Sequence, residues 1–289
     1  MADDAADDAV TPPTFDPEEV LFVEDDHFRP ENVAIVTGAA SGIGRATTFA
    51  LAENDLTVVG TDVDEDGLAE MTDRAEELGL AGTVETVAAD LTDEDEIERI
   101  VSHAADAGTV KYLVNVAGLQ HIDPIDEFPA EQFDLLQNVM VRAPFLLAKA
   151  CLPHMRESED GTGCIGNMAS VHGHYTTSDK VAYNVSKFGL RGLTQSIAAE
   201  GDGDVRAFSV STGYVKTPLV TNQIPDTAEQ RGISVDEVVE DVMLGQARTK
   251  EMMTPQDVAN LFVFGFSKHA KHLNGGDLLF DGGMTLTYE

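Results

Sequence analysis

From Val33 onward the chain alternates short β-branched runs with longer amphipathic stretches, and no other feature restricts its fold as strongly. Two strands separated by a helix-length connection pair in parallel when that connection crosses over one face of the sheet, so repeated βα units predict a parallel sheet covered on both sides. Strands are expected near 33–37, 57–61, 83–88, 111–116, 164–169, 204–210 and 277–280. Helices are expected near 42–54, 64–79, 93–107, 130–157, 179–200 and 254–266. The fold class that follows is α/β, a doubly wound parallel seven-stranded sheet with helices on both faces. A polar, helix-prone stretch at 217–250 interrupts the alternation near the strand ends, where a helical substrate lid is expected.

With 289 residues and 43% hydrophobic composition the chain can bury one substantial core. A single domain is expected over 31–289. Residues 1–30 are acidic, carry Pro12, Pro13, Pro17 and Pro30 and lack sustained periodicity, which predicts a mobile N-terminal tail with local docking at Val20 to Val23.

The formal charge is −34, from 52 acidic residues against 18 basic ones. Such a surface repels polyanions and excludes nucleic-acid binding. Its self-repulsion is relieved in molar salt, where the Debye length is roughly 3 Å, so a halophilic protein in a salt-rich cytosol is expected; the competing reading is an acidic protein of ordinary cytosol. The start, MADDAADDAV, has neither the basic residues nor the apolar run of a signal peptide, and no run of ~18 apolar residues stands out, so a soluble, cytoplasmic protein without a membrane span is expected. Cys151 and Cys164 form no disulfide framework, and no His/Cys/Asp set has the spacing of a catalytic metal site.

After the first strand comes Thr37-Gly38-Ala39-Ala40-Ser41-Gly42-Ile43-Gly44, followed at once by a helical pattern. Glycines between a strand and a helix start let backbone N–H groups and the helix dipole approach a pyrophosphate. The second strand ends at Asp62, whose carboxylate would accept hydrogen bonds from an adenosine ribose and repel a 2′-phosphate, favouring NAD over NADP. Asp90 and Leu91 end the third strand near the expected adenine. Asn115-Val116-Ala117-Gly118 ends the fourth, with small residues that allow close backbone approach.

Carbonyl reduction needs a proton donor beside the substrate oxygen, and a phenol with a pKa of about 10 needs a neighbouring cation to serve as a base near neutrality. Tyr183 and Lys187 stand at i and i+4 of an expected helix, on one face, and Ser170 precedes them at a strand end.

With these residues in place, the chain over about 32–288 resembles the short-chain dehydrogenase/reductase family. The resemblance implies a Rossmann-type fold and an NAD-dependent enzyme acting on CH–OH donors. It implies that Tyr183 is the acid/base, that Lys187 lowers its pKa and holds the nicotinamide ribose, and that Ser170 orients the substrate carbonyl. It adds Gly213, Val215 and Thr217 to the cofactor-binding set of Gly38, Ser41, Gly42, Ile43, Gly44, Asp62, Asp90, Leu91, Asn115, Ala117 and Gly118, and it implies a homotetramer. Three positions depart from the family pattern: Val116 replaces an Asn, Thr212 a Pro, and Met140 the helix Asn that completes the catalytic tetrad. In the family the proton relay runs through a water held by the main-chain carbonyl at that last position, so Met140 can serve if the local kink survives.

Several segments are similar, more narrowly, to the 3-hydroxybutyrate dehydrogenases of that family: Ala117 to His121, Ala169 to Gly173, and Thr217 to Ile224, with Lys180. That similarity implies a small anionic hydroxy or keto acid whose carboxylate is held by Gln120, His172, Lys180 and Gln223. Electrostatics agree, because a small anion approaching so acidic a protein needs a local cationic receptor, and Lys180, Lys187 and Lys216 lie along the expected site. Two alternatives stay open: a dehydrogenase of another polar alcohol, of sugar or 3-oxoacyl type, and a non-catalytic NAD-binding regulatory protein.

Overall fold

A computed structural model describes residue 11 and residues 13–286. Its centre is a seven-stranded sheet, all parallel, in the order β3-β2-β1-β4-β5-β6-β7. The strands are β1 (Asn32–Thr37), β2 (Thr57–Asp62), β3 (Thr83–Ala88), β4 (Thr109–Asn115), β5 (Gly163–Met168), β6 (Val205–Thr212) and β7 (Asp277–Phe280). The seven expected strands all form. Interior strands such as β1 and β5 are buried along their whole length, as a sheet covered on both faces requires. Edge strand β3 carries the mixed run Thr-Val-Glu-Thr-Val-Ala and is mostly half-buried.

Two helical layers cover the sheet. On one side α1 (Gly42–Glu53) and α10 (Pro255–Phe266) lay Ala50, Leu51, Phe262 and Phe266 on Ala34 and Val36 of β1. Flanking α1 on that layer, α2 (Glu65–Leu78) brings Leu68 and Met71 against Phe49. On the other side α3 (Glu94–Ala107), α5 (Ala143–Glu157) and α6 (Val181–Glu200) pack Ile100, Leu147, Met155 and Ile197 on Val33 and Ile35. Alternate residues of one strand thus feed opposite cores, the two-residue period of a strand at work. The abundant acid also has a local use: Asp64 and Asp93 cap α2 and α3 through the N–H groups of Gly67 and Asp95.

The run expected as one helix over 130–157 is divided. Helix α4 (Ala130–Gln137) passes through a π-turn at Asn138–Arg142 into α5. Pro144 supplies the reason, since it has no N–H to give the carbonyl of Met140 and its ring disfavours the regular path. By length and composition alone the helical run Ala130–Glu157 holds an 18-residue window, of mean hydropathy 1.3, that is apolar enough to cross a membrane, contrary to the expectation of no such run; its α5 face is instead spent on the core, where Leu147, Cys151 and Met155 are fully buried.

The expectation of a mobile tail reaching residue 30 is corrected for residues 13–30, while residues 1–10 and 12 lie outside the described residues. Phe15 stacks edge-on against Phe49 at 5.2 Å, and Phe28 against Tyr112 at 5.8 Å. The main chain is held by amide side chains: Asp16 N–H donates to Gln256 at 3.0 Å, Leu21 N–H to Asn260 at 2.8 Å and Val23 N–H to Asn54 at 3.0 Å. This segment is a strap across α1 and α10.

The stretch after β6 is helical, with α7 (Pro218–Thr221), α8 (Gln223–Arg231), α9 (Val235–Glu237) and a π-turn at Val238–Met243. Ile224, Val238, Met243 and Leu244 form a small core of their own with Val171 and Met284.

Candidate active site

The strand order reverses between β1 and β4, and the crevice outside the carboxyl ends of a doubly wound sheet opens at such a point. A cavity of about 470 Å³ occupies it. Gly38, Ser41, Gly42, Ile43 and Gly44 line it from the β1–α1 turn, Asp62 from the end of β2, and Asp90 and Leu91 from the end of β3. Ala117 and Gly118 contribute from β4, and Gly213, Val215 and Thr217 from β6.

The turn is built for close backbone approach. A Cβ on Gly44 would lie 2.0 Å from the Gly38 carbonyl oxygen, and Gly38 itself has φ +70° with Ala117 main chain 3.0 Å from any added Cβ. Asp62 is tied to the same turn: one carboxylate oxygen accepts from Ala40 N–H at 3.1 Å, the other from Asp64 N–H at 3.2 Å. The carboxylate is therefore fixed at the cavity wall before any ligand arrives. Asp90 uses one oxygen to accept from the N–H and hydroxyl of Thr92, at 2.8 Å each, and shapes its own loop. Asn115 does not line the cavity. Its amide donates to Asn167 at 2.8 Å, and Asn167 donates to Thr194 at 2.9 Å, stitching β4, β5 and α6 beneath the site.

Ser170, Tyr183 and Lys187 all line the cavity. Tyr183 and Lys187 stand one turn apart on α6, with the ammonium 5.3 Å from the centre of the phenol ring. Lys187 Nζ donates to the Met168 carbonyl at 2.7 Å, and burial lowers its pKa to about 8. Burial raises the pKa of Tyr183, the Ser170 hydroxyl opposes this by hydrogen bonding, and Tyr214 adds to the rise. In the protein alone burial thus outweighs the depression expected from Lys187.

Ser170 begins a short 3₁₀ turn, Val171–Gly173, and its oxygen accepts from His172 N–H at 3.2 Å. His172 Nδ1 is 3.4 Å from that same oxygen, and Nε2 is 3.1 Å from Thr177 Oγ1. Burial, reinforced by Lys180 and Lys187, pushes its pKa down to about 4, so the ring is neutral near pH 7. Lys180 precedes the first turn of α6, its pKa lowered by burial. Gln223 approaches Gln120 at 3.4 Å and also donates to the Leu219 carbonyl. The Gln120 amide nitrogen is buried without a hydrogen-bond partner. The four residues expected to hold a carboxylate are thus brought together as two pairs, and none of them lines the 470 Å³ cavity itself.

Met140 is 1% exposed and sits with Leu136 and Ala182 against Tyr183, giving the phenol an apolar wall where the family pattern has an amide. The kink survives as the π-turn, which leaves the Met140 carbonyl without the i+4 donor that Pro144 cannot supply. Val116 and Thr212 both line the cavity.

Sequence reasoning missed Val63, which lines the cavity beside Asp62 and is 74% exposed. An apolar residue placed just past a strand end was the available signal. It also missed Leu135 at the end of α4, Val139 in the π-turn, and Leu219 and Val220 in the interruption after β6, all cavity-lining.

A family model described as enoyl-(acyl carrier protein) reductase matches residues 38–285. The D-beta-hydroxybutyrate dehydrogenase of Rhizobium meliloti (strain 1021) is 36% identical over 255 residues, covering 87% of this chain and 98% of the relative. The enzyme of the same description from Cupriavidus necator is 32% identical over 255 residues, 86% of this chain and 96% of the relative. Among solved structures, L-sorbose reductase from Gluconobacter frateurii, complexed with NADPH and L-sorbose, is similar with a TM-score of 0.84 and 27% identity, over 91% of this chain and 100% of that one.

Proposed function

The chain belongs to the short-chain dehydrogenase/reductase family of oxidoreductases, and from that premise we propose that it interconverts (R)-3-hydroxybutyrate and acetoacetate, with NAD as the hydride carrier. The observation that carries this reading is Lys180: it precedes the helix that bears Tyr183, pairs with no carboxylate among the described residues, and is a partly buried cation in a protein of charge −34. A small carboxylate is the anion such a site would draw in. The unpartnered Gln120 nitrogen is the kind of buried group a ligand oxygen satisfies, while the Gln223 amide, which donates to Leu219 and Gln120, would exchange one of those partners for the ligand. The likeness to the two hydroxybutyrate dehydrogenases supports the same choice.

The glycine turn, the fixed Asp62 and the cavity between them fit a dinucleotide. NAD bound there would accept hydride from the substrate carbon. Asp62 would accept from the ribose hydroxyls and repel a 2′-phosphate. Ser170 would hold the substrate oxygen, Tyr183 would take or return its proton, and Lys187 would hold its charge close to that phenol. Asp62→Asn keeps an acceptor for Ala40 N–H but removes the charge. It is expected to shift the NADP-to-NAD ratio of kcat/KM by at least about tenfold toward NADP, roughly 1.4 kcal/mol; an unchanged ratio would show that Asp62 does not select the cofactor.

Lys180→Ala tests the substrate assignment. A hydrogen bond to a charged group contributes about 1.5–3 kcal/mol, so KM for 3-hydroxybutyrate should rise ~10–100-fold with a much smaller change in kcat. An unaltered KM would remove Lys180 from the carboxylate site.

A second reading, a dehydrogenase of another polar alcohol such as a sugar, draws support from the absence of Gln120, His172, Lys180 and Gln223 from the cavity lining and from the sorbose reductase likeness. It predicts turnover of uncharged polyols that is indifferent to Lys180→Ala. In either case α7 to α9 act as the lid, a salt-rich cytosol is the setting, and a homotetramer is the assembly. Exposed Phe145, Val185 and Phe188 on α5 and α6, with Leu279 and Phe280 on β7, are apolar surfaces that such an assembly would cover.

A further inference from the structure

Tyr183, Lys187 and Arg191 stand on successive turns of α6, each four residues after the last. The second and third take hold of the segment that carries Ser170. Lys187 Nζ donates to the Met168 carbonyl at 2.7 Å, just before the serine, and Arg191 Nη1 donates to the Gly173 carbonyl at 2.6 Å, just after it. Ser170 is thus suspended between two anchors on the helix that bears the phenol. The 3₁₀ turn and α6 are also in direct contact, since a Cβ on Gly173 would lie 2.9 Å from the Lys187 carbonyl oxygen and 2.9 Å from Arg191 Cδ.

Arg191 and the turn are in turn braced from β7. Ser209 and Ser211, alternate residues on one face of β6, both donate to Asp277 Oδ1, Ser211 at 2.9 Å, and His174 Nε2 meets Asp277 Oδ2 at 2.9 Å. Arg191 Nε lies 4.0 Å from the same Oδ1 and is buried without a hydrogen-bond partner of its own. None of these contacts is needed to shape the elements they join. The main chain of β7 pairs with β6 from Ser209 to Thr212, and the 3₁₀ turn is closed by the N–H groups of Gly173 and His174, which donate to Ser170 and Val171 at 2.8 Å each. Local bonds fix the shape of the turn, whereas Arg191 and the His174–Asp277 pair fix where it sits.

We propose that Arg191, braced by Asp277, is a positioning residue for the reaction: it sets where the Ser170 hydroxyl stands relative to the Tyr183 phenol. Arg191 does not line the cavity, so it acts only through Ser170. The proposal rests on the reading of Ser170 and Tyr183 as the groups that handle the substrate oxygen. A misplacement of about 1 Å costs on the order of a hundredfold in rate, and with Lys187 still holding the other end of the segment the loss of one anchor should cost about tenfold.

Arg191→Met keeps the stem that packs on Gly173 and removes the donor. Expected in the oxidation of (R)-3-hydroxybutyrate is a fall in kcat of about tenfold with KM for NAD unchanged. A double-mutant cycle separates positioning from a general loss of packing: in a Ser170→Ala background the same substitution should change kcat by less than about twofold. Arg191→Met combined with Asp277→Asn removes both charges together and strands no carboxylate, so it keeps the test open if the single variant folds poorly, and it should show the same loss and the same dependence on Ser170. Without substrate, amide exchange at Gly173 and His174 should be about tenfold faster in either variant, because the turn opens more often when its anchor is gone. Wild-type kcat, unaltered exchange, or an equal loss in both backgrounds overturns the proposal. Ser170→Ala with full activity overturns the reading and the proposal together, whereas an impaired Ser170→Ala beside a normal Arg191→Met removes the proposal alone.

Discussion

Replacing Tyr183 by Phe is expected to reduce turnover ~10²–10⁴-fold while leaving the folded protein and its cofactor affinity close to wild type, because general acid–base catalysis contributes on that scale. The phenol oxygen is the one atom lost. The ring keeps its edge contact with His172 at 5.6 Å and its apolar wall of Leu136, Met140 and Ala182. Lys187 keeps its hydrogen bond to the Met168 carbonyl, so the ammonium is not stranded by the change. Steady-state kinetics in either direction, beside fluorescence titration with the dinucleotide, give the check. Activity within a few-fold of wild type would mean that another group moves the proton.

Gly44→Ala is expected to damage the cofactor turn as severely. The added Cβ would meet the Gly38 carbonyl oxygen at 2.0 Å, a main-chain atom that cannot swing aside. Overpacking of this kind costs about 1–3 kcal/mol and occasionally more. The strain falls on the segment that carries Ser41 and Gly42 into the cavity, so affinity for the dinucleotide should drop at least about tenfold, or ~1.4 kcal/mol. Gly192 provides the contrast within the same protein. It lies on α6, is exposed, and has no heavy atom within 4 Å of an added Cβ. Gly192→Ala should therefore stabilise the fold by roughly 0.5–1 kcal/mol through helix propensity alone. Thermal unfolding with and without dinucleotide distinguishes these outcomes, and a Gly44→Ala protein that binds normally would show that the turn is looser than its geometry implies.

Local pattern carried far in this chain because its sheet is buried on both sides. Val33, Ile35, Val58 and Val59 had to be apolar whichever face they met, and the glycine turn and the Tyr183–Lys187 pair are short-range signals that survive without tertiary context. What was illegible depends on partners far away in sequence. Residues 13–30 read as tail because their acids and prolines are local facts, whereas the amides that hold them, Asn54, Gln256 and Asn260, lie up to 240 residues away. The break in the helix over 130–157 was within reach, since Pro144 marks it, but the apolar periodicity on either side masked it. Asn115 shows what only the fold adds: its position at a strand end suggested a ligand contact, and the fold shows its amide nitrogen donating to Asn167 while its amide oxygen is buried without a partner. For the substrate set, similarity brought Gln120, His172, Lys180 and Gln223 into one neighbourhood, but the inward turn of both His172 nitrogens is a property of the 3₁₀ turn and of Thr177.

The central claim is tested most directly by NADH formation in molar KCl with (R)- and with (S)-3-hydroxybutyrate as substrate. Turnover of the (R) form alone, lost in Tyr183→Phe and shifted to higher KM in Lys180→Ala, is the predicted result. Measurable NAD binding with no turnover of either enantiomer would contradict it.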